Sequence, residues 1–226
     1  MRTLIELFDD AQRRDTLLVL LPPAESRLED FYAQGFVSAV RERNIAVDLA
    51  LADTTYQHVM SKTVVAALHQ HVVLPAQVRG YRQIWLAGIS LGAFSALYYA
   101  SAHADHLAGM HLMAPYPGTG DILAEIVAAG GPAAWARNAR KADEDERAWW
   151  NWLCREAQAG TWPMPVYFGT GTEDRFLRGQ RLLAELLPRE KVRYLPGPHA
   201  WPTWRSLWQD WLDHGPLAAR PQRKIA

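Results

Sequence analysis

A serine, a histidine and a pair of acids in this chain have the side-chain types and local settings that nucleophilic acyl chemistry requires. The serine lies in Ile84-Trp-Leu-Ala-Gly88-Ile89-Ser90-Leu91-Gly92-Ala93, where a strand-like run enters Gly-x-Ser-x-Gly and leaves as a helix. A serine on so tight a turn is held in a strained conformation, and small flanking residues let the neighbouring backbone approach it. The helix start behind it directs N–H groups at the site, which favours negative charge developing there. Such a pentapeptide arises in about 3% of shuffled sequences of this composition, so its strand–turn–helix context carries most of the weight.

A serine hydroxyl is a weak nucleophile at neutral pH, so it needs a base, and the base needs a carboxylate to orient it. His199 follows the strand-like run Val192 to Leu195 in a Gly197-Pro198-His199 loop. Glu173 and Asp174 follow Val166 to Phe168 in the loop Gly169-Thr-Gly171-Thr-Glu173-Asp174-Arg175-Phe176. An acid one strand earlier would have to be Asp121, beyond the whole Ala114 to Gly120 segment, which disfavours it.

Short buried runs must position these loops. Thr16 to Leu21, Ile45 to Leu51, Ile84 to Ala87, Leu107 to Ala114, Val166 to Phe168 and Val192 to Leu195 read as strands. Helical spacing fills Leu28 to Arg43, Tyr56 to Val78, Leu91 to Ala102, Phe176 to Leu187 and Trp201 to Leu212. The alternation predicts an α/β fold with about six parallel strands and helices on both faces. Serine, acid and histidine then all fall at the C-terminal ends of strands, where open α/β sheets bind ligands. Residues 118–163 interrupt the rhythm and read as an inserted helical, cap-like segment of a single domain, with a solvated charge run from Arg137 to Arg147. The first fourteen residues fit either a short helix or an edge strand.

These motifs, in this order, make the chain resemble the α/β-hydrolase superfamily, and in particular its small single-domain esterases and thioesterases, over Leu17 to Leu212. The resemblance implies Ser90 as nucleophile, His199 as base and then acid, and Asp174 rather than Glu173 as the orienting carboxylate. It also implies an oxyanion hole from the Leu91 N–H and one N–H of the loop after Thr16 to Leu21. That loop departs from the family's His-Gly pattern with Pro22-Pro23-Ala24-Glu25-Ser26, and prolines donate no N–H, which leaves Ala24 or Glu25 as the second donor, of which Ala24 is the one expected. Room before Thr16 is too short for the family's two extra N-terminal strands.

Composition narrows the partners. The chain has 226 residues with 24 basic against 24 acidic side chains, which argues against a nucleic-acid surface. Arg220 to Lys224 alone is locally basic and reads as a solvated tail. No run is long enough for a membrane span, and the single Cys154 points to a reducing, cytoplasmic setting. His69 and His71, and His103, His106 and His111, read as surface or cap residues without zinc-site spacing, and no phosphate loop or dinucleotide fingerprint occurs, so no cofactor or metal is expected. Trp201, Trp204, Trp208 and Trp211 share a helical face that would pack on the sheet. Trp201, Tyr116 and Trp149 are candidate substrate-binding residues in the pocket walls. The expected activity is hydrolysis of a small apolar carboxylic ester or thioester through an acyl-enzyme. A non-catalytic binding or scaffold protein on the same fold is the alternative.

Overall fold

The computed structural model describes residues 1–9, 11–138 and 145–218. Seven strands form one sheet: β1 (Thr3–Glu6), β2 (Thr16–Leu21), β3 (Asp48–Ala52), β4 (Gln83–Ile89), β5 (Gly109–Met113), β6 (Val166–Gly171) and β7 (Val192–Leu195). Their spatial order is β1-β3-β2-β4-β5-β6-β7. The six runs expected from the sequence become β2 to β7 and pair in parallel. The seventh strand is an addition to the expected count. Thr3–Glu6 takes the edge-strand alternative and pairs antiparallel with β3, Thr3 facing Ala52.

Burial follows from the period of two along each strand. Leu17, Val19 and Leu21 of β2 face one apolar cluster, and Leu18 and Leu20 face the other. A strand covered on both sides must be apolar throughout, which is how β2 reads. On the first face lies the helix Leu91–His103. The second is covered by Phe36–Glu42 and Trp201–His214, where Trp204, Trp208 and Trp211 are buried. Trp208 stacks on Phe36 with ring centroids 5.6 Å apart, and its Nε1 donates to the Phe36 carbonyl at 3.0 Å.

Two long helical stretches are subdivided. Gly35, with φ 78°, separates Asp30–Ala33 from Phe36–Glu42. Tyr56–Met60 is cut from Val64–Leu68 near Lys62, at φ 57°, and a π-helical turn, His69–Val73, precedes Leu74–Val78. The π turn brings His69 onto His103, and these two stack with His106 at centroid distances of 5.0 to 5.4 Å, around the Tyr99 hydroxyl. These three are half-buried and His71 is exposed, whereas His111, expected at the surface or a cap, is buried within β5.

Between β5 and β6 run the helices Gly120–Ala128, Pro132–Asn138 and Arg147–Ala159. Their residues Ile122, Ile126, Trp135, Trp149 and Trp150 join the first apolar cluster, so this segment shares the core of the sheet. Residues 139–144 of the charge run and the basic tail from 220 to 224 lie outside the described residues. At its near end, Arg147 pairs with Glu125 and Asp145. Among the described residues no helix is long and apolar enough to cross a membrane.

The strand order sets the site. After β2 the chain moves outward to β3 and then returns to β4 on the other side of β2, so the connections from β2 and β4 leave in opposite directions. A crevice opens where such a reversal occurs, outside the C-terminal ends of the strands. The loop starting at Pro22 and the turn at Ser90 flank that crevice.

Candidate active site

Ser90 sits between β4 and the helix Leu91–His103 with φ 51° and ψ −107°, a conformation that non-glycine residues rarely adopt. The turn is clamped from β5: Ser90 N–H donates to Met113 O at 2.9 Å, and Tyr116 N–H donates to Ser90 O at 3.2 Å. The flanking glycines are steric requirements. A Cβ at Gly88 would lie 2.4 Å from the Ala93 nitrogen, and one at Gly92 would lie 2.2 Å from the Leu21 carbonyl oxygen. The second contact draws the end of β2, and the Ala24 loop after it, against the helix that starts at Ser90.

Asp174 and His199 arrive from the loops after β6 and β7, beyond β5. A Cβ at Gly171 would fall 2.1 Å from Gly197 O, and Glu173 N–H donates to the same carbonyl at 3.1 Å, so the β6 and β7 loops lie directly on each other. In this arrangement His199 Nδ1 is 2.6 Å from Asp174 Oδ2, and His199 Nε2 is 3.0 Å from Ser90 Oγ. Phe176 N–H donates to the other Asp174 oxygen at 2.8 Å. Of the two adjacent acids, Asp174 therefore pairs with the histidine, while Glu173 is exposed.

The electrostatics follow from these contacts. The Asp174 side chain is fully buried, and burial opposes its ionisation. Hydrogen bonds from His199 and the Phe176 N–H, joined by one from Gln180, outweigh that penalty and hold the carboxyl below its ordinary value. An ionised Asp174 can only accept, so the neutral imidazole carries its proton on Nδ1 and leaves Nε2 free to accept from the Ser90 hydroxyl. Phe176 and Trp204 meet the His199 ring edge-to-face, each at a centroid distance of 5.0 Å, and fix its plane.

Beside Ser90 opens a groove of about 480 Å³, whose lining includes Ala24, Leu91, Phe94, Tyr98, Tyr116 and Phe176. Both expected oxyanion residues thus border the same space as the serine, and the Leu91 N–H belongs to the first turn of its helix, where N–H groups lack partners within the helix. Tyr116 lines the groove, in edge contact with Phe176. The other two substrate-binding candidates do not. Trp149 is fully buried behind Phe94 and stacked on Trp150, because its helix packs inward on the Leu91–His103 helix. Trp201 turns toward Phe31, Phe36 and Trp204 on the opposite face of the sheet.

Several site residues carry no signal in the sequence. Gln180 is fully buried, accepts from Thr170 Oγ1 and donates to the Pro115 carbonyl at 3.1 Å, yet it sits in a helix whose pattern reads as amphipathic surface. Tyr56 and Met60, each 63% exposed, form the groove lip on a short helix that buries none of its residues.

A seven-stranded, mostly parallel sheet with a serine turn at its switch point defines an α/β-hydrolase. The chain belongs to the family described as "Putative esterase", which it matches over residues 2–211, and it is an ester-cleaving serine hydrolase of the carboxylesterase class. It is similar in fold to a ferulic acid esterase at 14% identity and TM-score 0.62, covering 93% of this chain and 96% of that one. Est1E from Butyrivibrio proteoclasticus aligns at 16% identity and TM-score 0.61, over 92% and 89% of the two chains. The S-formylglutathione hydrolase of Staphylococcus aureus aligns at 12% identity and TM-score 0.59, over 92% and 87%. No curated protein sequence matches the chain.

Proposed function

We propose that the protein hydrolyses a small, largely apolar carboxylic ester or thioester through a Ser90–His199–Asp174 triad. His199 Nε2 takes the Ser90 proton as Oγ attacks the carbonyl, and the imidazolium so formed is stabilised by the Asp174 carboxylate. The N–H groups of Leu91 and Ala24 receive the tetrahedral oxyanion. His199 then returns its proton to the departing alkoxide or thiolate, and water deacylates Ser90 by the same route in reverse. No metal or cofactor enters this sequence of steps.

The continuous chain of contacts from Ser90 Oγ through both His199 nitrogens to Asp174 carries the reading. The aromatic groove beside it favours an apolar substrate. A fluorophosphonate probe with peptide mass spectrometry tests it directly. Covalent modification at Ser90, abolished in His199→Ala, is the expected result. Folded protein that stays unlabelled would sink the catalytic reading and leave a binding protein on a hydrolase fold.

A further inference from the structure

The groove at Ser90 adjoins a second one across its Tyr98 wall. This second groove, of about 580 Å³, shares Val59, Lys62 and Tyr98 with the first and adds Val64, Val65, Ser101, Ala102 and Ala148. Tyr98, Ser101 and Ala102 belong to the helix region that begins just after Ser90, so the second groove follows that helix away from the serine. Eleven residues separate Ser90 from Ser101, which at 1.5 Å per helical residue is about 16 Å. An extended hydrocarbon chain of about twelve carbons covers such a distance.

The chemistry of the walls changes along this path. Near Ser90 they are aromatic, with Phe94, Tyr98, Tyr116 and Phe176, and charged groups stand at the rim. Beyond Tyr98 they are mainly aliphatic, with Val59, Val64, Val65, Ala102 and Ala148. Aliphatic walls adjoining a reactive carbonyl site suit a flexible saturated chain, which needs apolar area and makes no polar demand. His199 protonates the leaving group, so the leaving group lies on the histidine side. The first groove is bordered by Ser90, Leu91 and Ala24, and neither groove is lined by His199, which puts both on the acyl side.

We propose that the second groove binds the far end of a medium- to long-chain acyl group, and that Tyr98, the wall common to both grooves, determines the chain length accepted. This rests on the reading of Ser90 as nucleophile and names the substrate class of that site. Tyr98 packs edge-on against Phe94 at 5.0 Å, and burial together with the carboxylates Glu146 and Asp145 raises the pKa of its hydroxyl, so it stays neutral beside an apolar chain. Each methylene that leaves water for the groove is worth about fourfold in kcat/KM at full burial, and less where the groove is open.

The test is a series of p-nitrophenyl esters from acetate to dodecanoate, below micelle formation, on the full chain. The wild-type kcat/KM should rise along the series. Ala102→Trp, at an exposed helix position that tolerates a bulky side chain, fills the far groove and should lower the dodecanoate-to-acetate ratio at least tenfold. Tyr98→Ala should move the optimum to longer chains. A ratio that Ala102→Trp changes by less than twofold, or a wild-type optimum at acetate, overturns the proposal. Fluorophosphonate labelling of Ser90 in the same samples separates the two readings: labelled protein with a flat ratio refutes the chain groove alone. Should Ser90 stay unlabelled, calorimetric titration with dodecanoate decides. Binding abolished by Ala102→Trp upholds the groove, and absence of binding, or binding that Ala102→Trp does not affect, refutes it.

Discussion

Asp174→Asn changes one oxygen of a buried side chain and reverses the logic of the hydrogen bond to His199. Asp174 Oδ1 accepts from Phe176 N–H at 2.8 Å, and an asparagine keeps that bond through its amide oxygen, so the loop should hold. Its NH₂ then faces His199 Nδ1, where the carboxylate now stands at 2.6 Å. A donor in that place stabilises the tautomer with the proton on Nε2, which can no longer take the proton of Ser90 Oγ, 3.0 Å away. The imidazolium of the proposed transition state also loses its counter-charge. Two unit charges whose centres are about 3–4 Å apart interact by about 4–6 kcal/mol at an effective dielectric constant of about 20. Each 1.36 kcal/mol is tenfold in rate, so kcat should fall by about three to four orders of magnitude. Steady-state kinetics on an activated ester, beside circular dichroism and thermal melts to verify the fold, measure this. Glu173→Gln is the paired control, because Glu173 is exposed and contributes its backbone N–H to the Gly197 contact; it should change kcat less than twofold. Asp174→Asn retaining a tenth of the activity, or Glu173→Gln losing as much as Asp174→Asn, would refute this argument.

Three further outcomes follow from single contacts. Ser90→Gly removes a residue held at φ 51° and should raise the melting temperature by about 2–4 °C, from relief of about 1 kcal/mol of strain, while abolishing turnover; a lower melting temperature would contradict stored strain at the turn. Gly92→Ala drives a methyl group into the Leu21 carbonyl oxygen, a backbone contact that cannot yield, and should cost about 1–3 kcal/mol or more in denaturant unfolding and displace the Ala24 loop. A variant as stable and active as wild type would show that β2 does not need this approach. His111, buried against Trp208 and Trp211 with Nδ1 unpartnered, has its pKa pushed down to about 3 by burial. Because the unfolded chain binds that proton near pH 6.5 and the folded one does not, the stability from a neutral His111 is complete above about pH 6.5 and declines below it by about 1.4 kcal/mol per pH unit. His111→Phe should flatten the acid limb of urea-unfolding stability by about that slope; parallel limbs would mean that His111 does not titrate on unfolding.

The proposed reacting groups and the walls around them differ in how far they could be read from the sequence, and the reason is the range over which each is determined. Ser90 and Asp174 each follow a buried strand within a few residues and His199 follows the half-exposed edge strand β7, and each lies near a glycine that allows another segment to approach, so local pattern carries them. Glu173 and Asp174 could not be separated by residue pattern alone, since adjacent residues in an irregular loop differ only in direction. That direction is set by the Gly197 carbonyl, which belongs to another loop and engages the Glu173 N–H. β1 was ambiguous because a four-residue, half-exposed edge strand has too few positions for a period to show. Trp149 and Trp150 are consecutive and should face different ways on a helix, yet both are fully buried. Phe94 meets one, and the Pro117 carbonyl accepts from the indole of the other at 3.0 Å, and neither partner is near them in sequence. The groove is assembled from Ala24, Tyr56 to Lys62, Ser90 to Tyr98, Tyr116 to Thr119, Asp145 and Glu146, and Arg175 and Phe176, six segments that no local period connects. Chemistry encoded locally and recognition assembled at long range have different mutational consequences. Substitutions that change the rate for every ester should concentrate within a few residues of the β2, β4, β6 and β7 ends, whereas those that change the preferred ester should scatter through segments far apart in the chain.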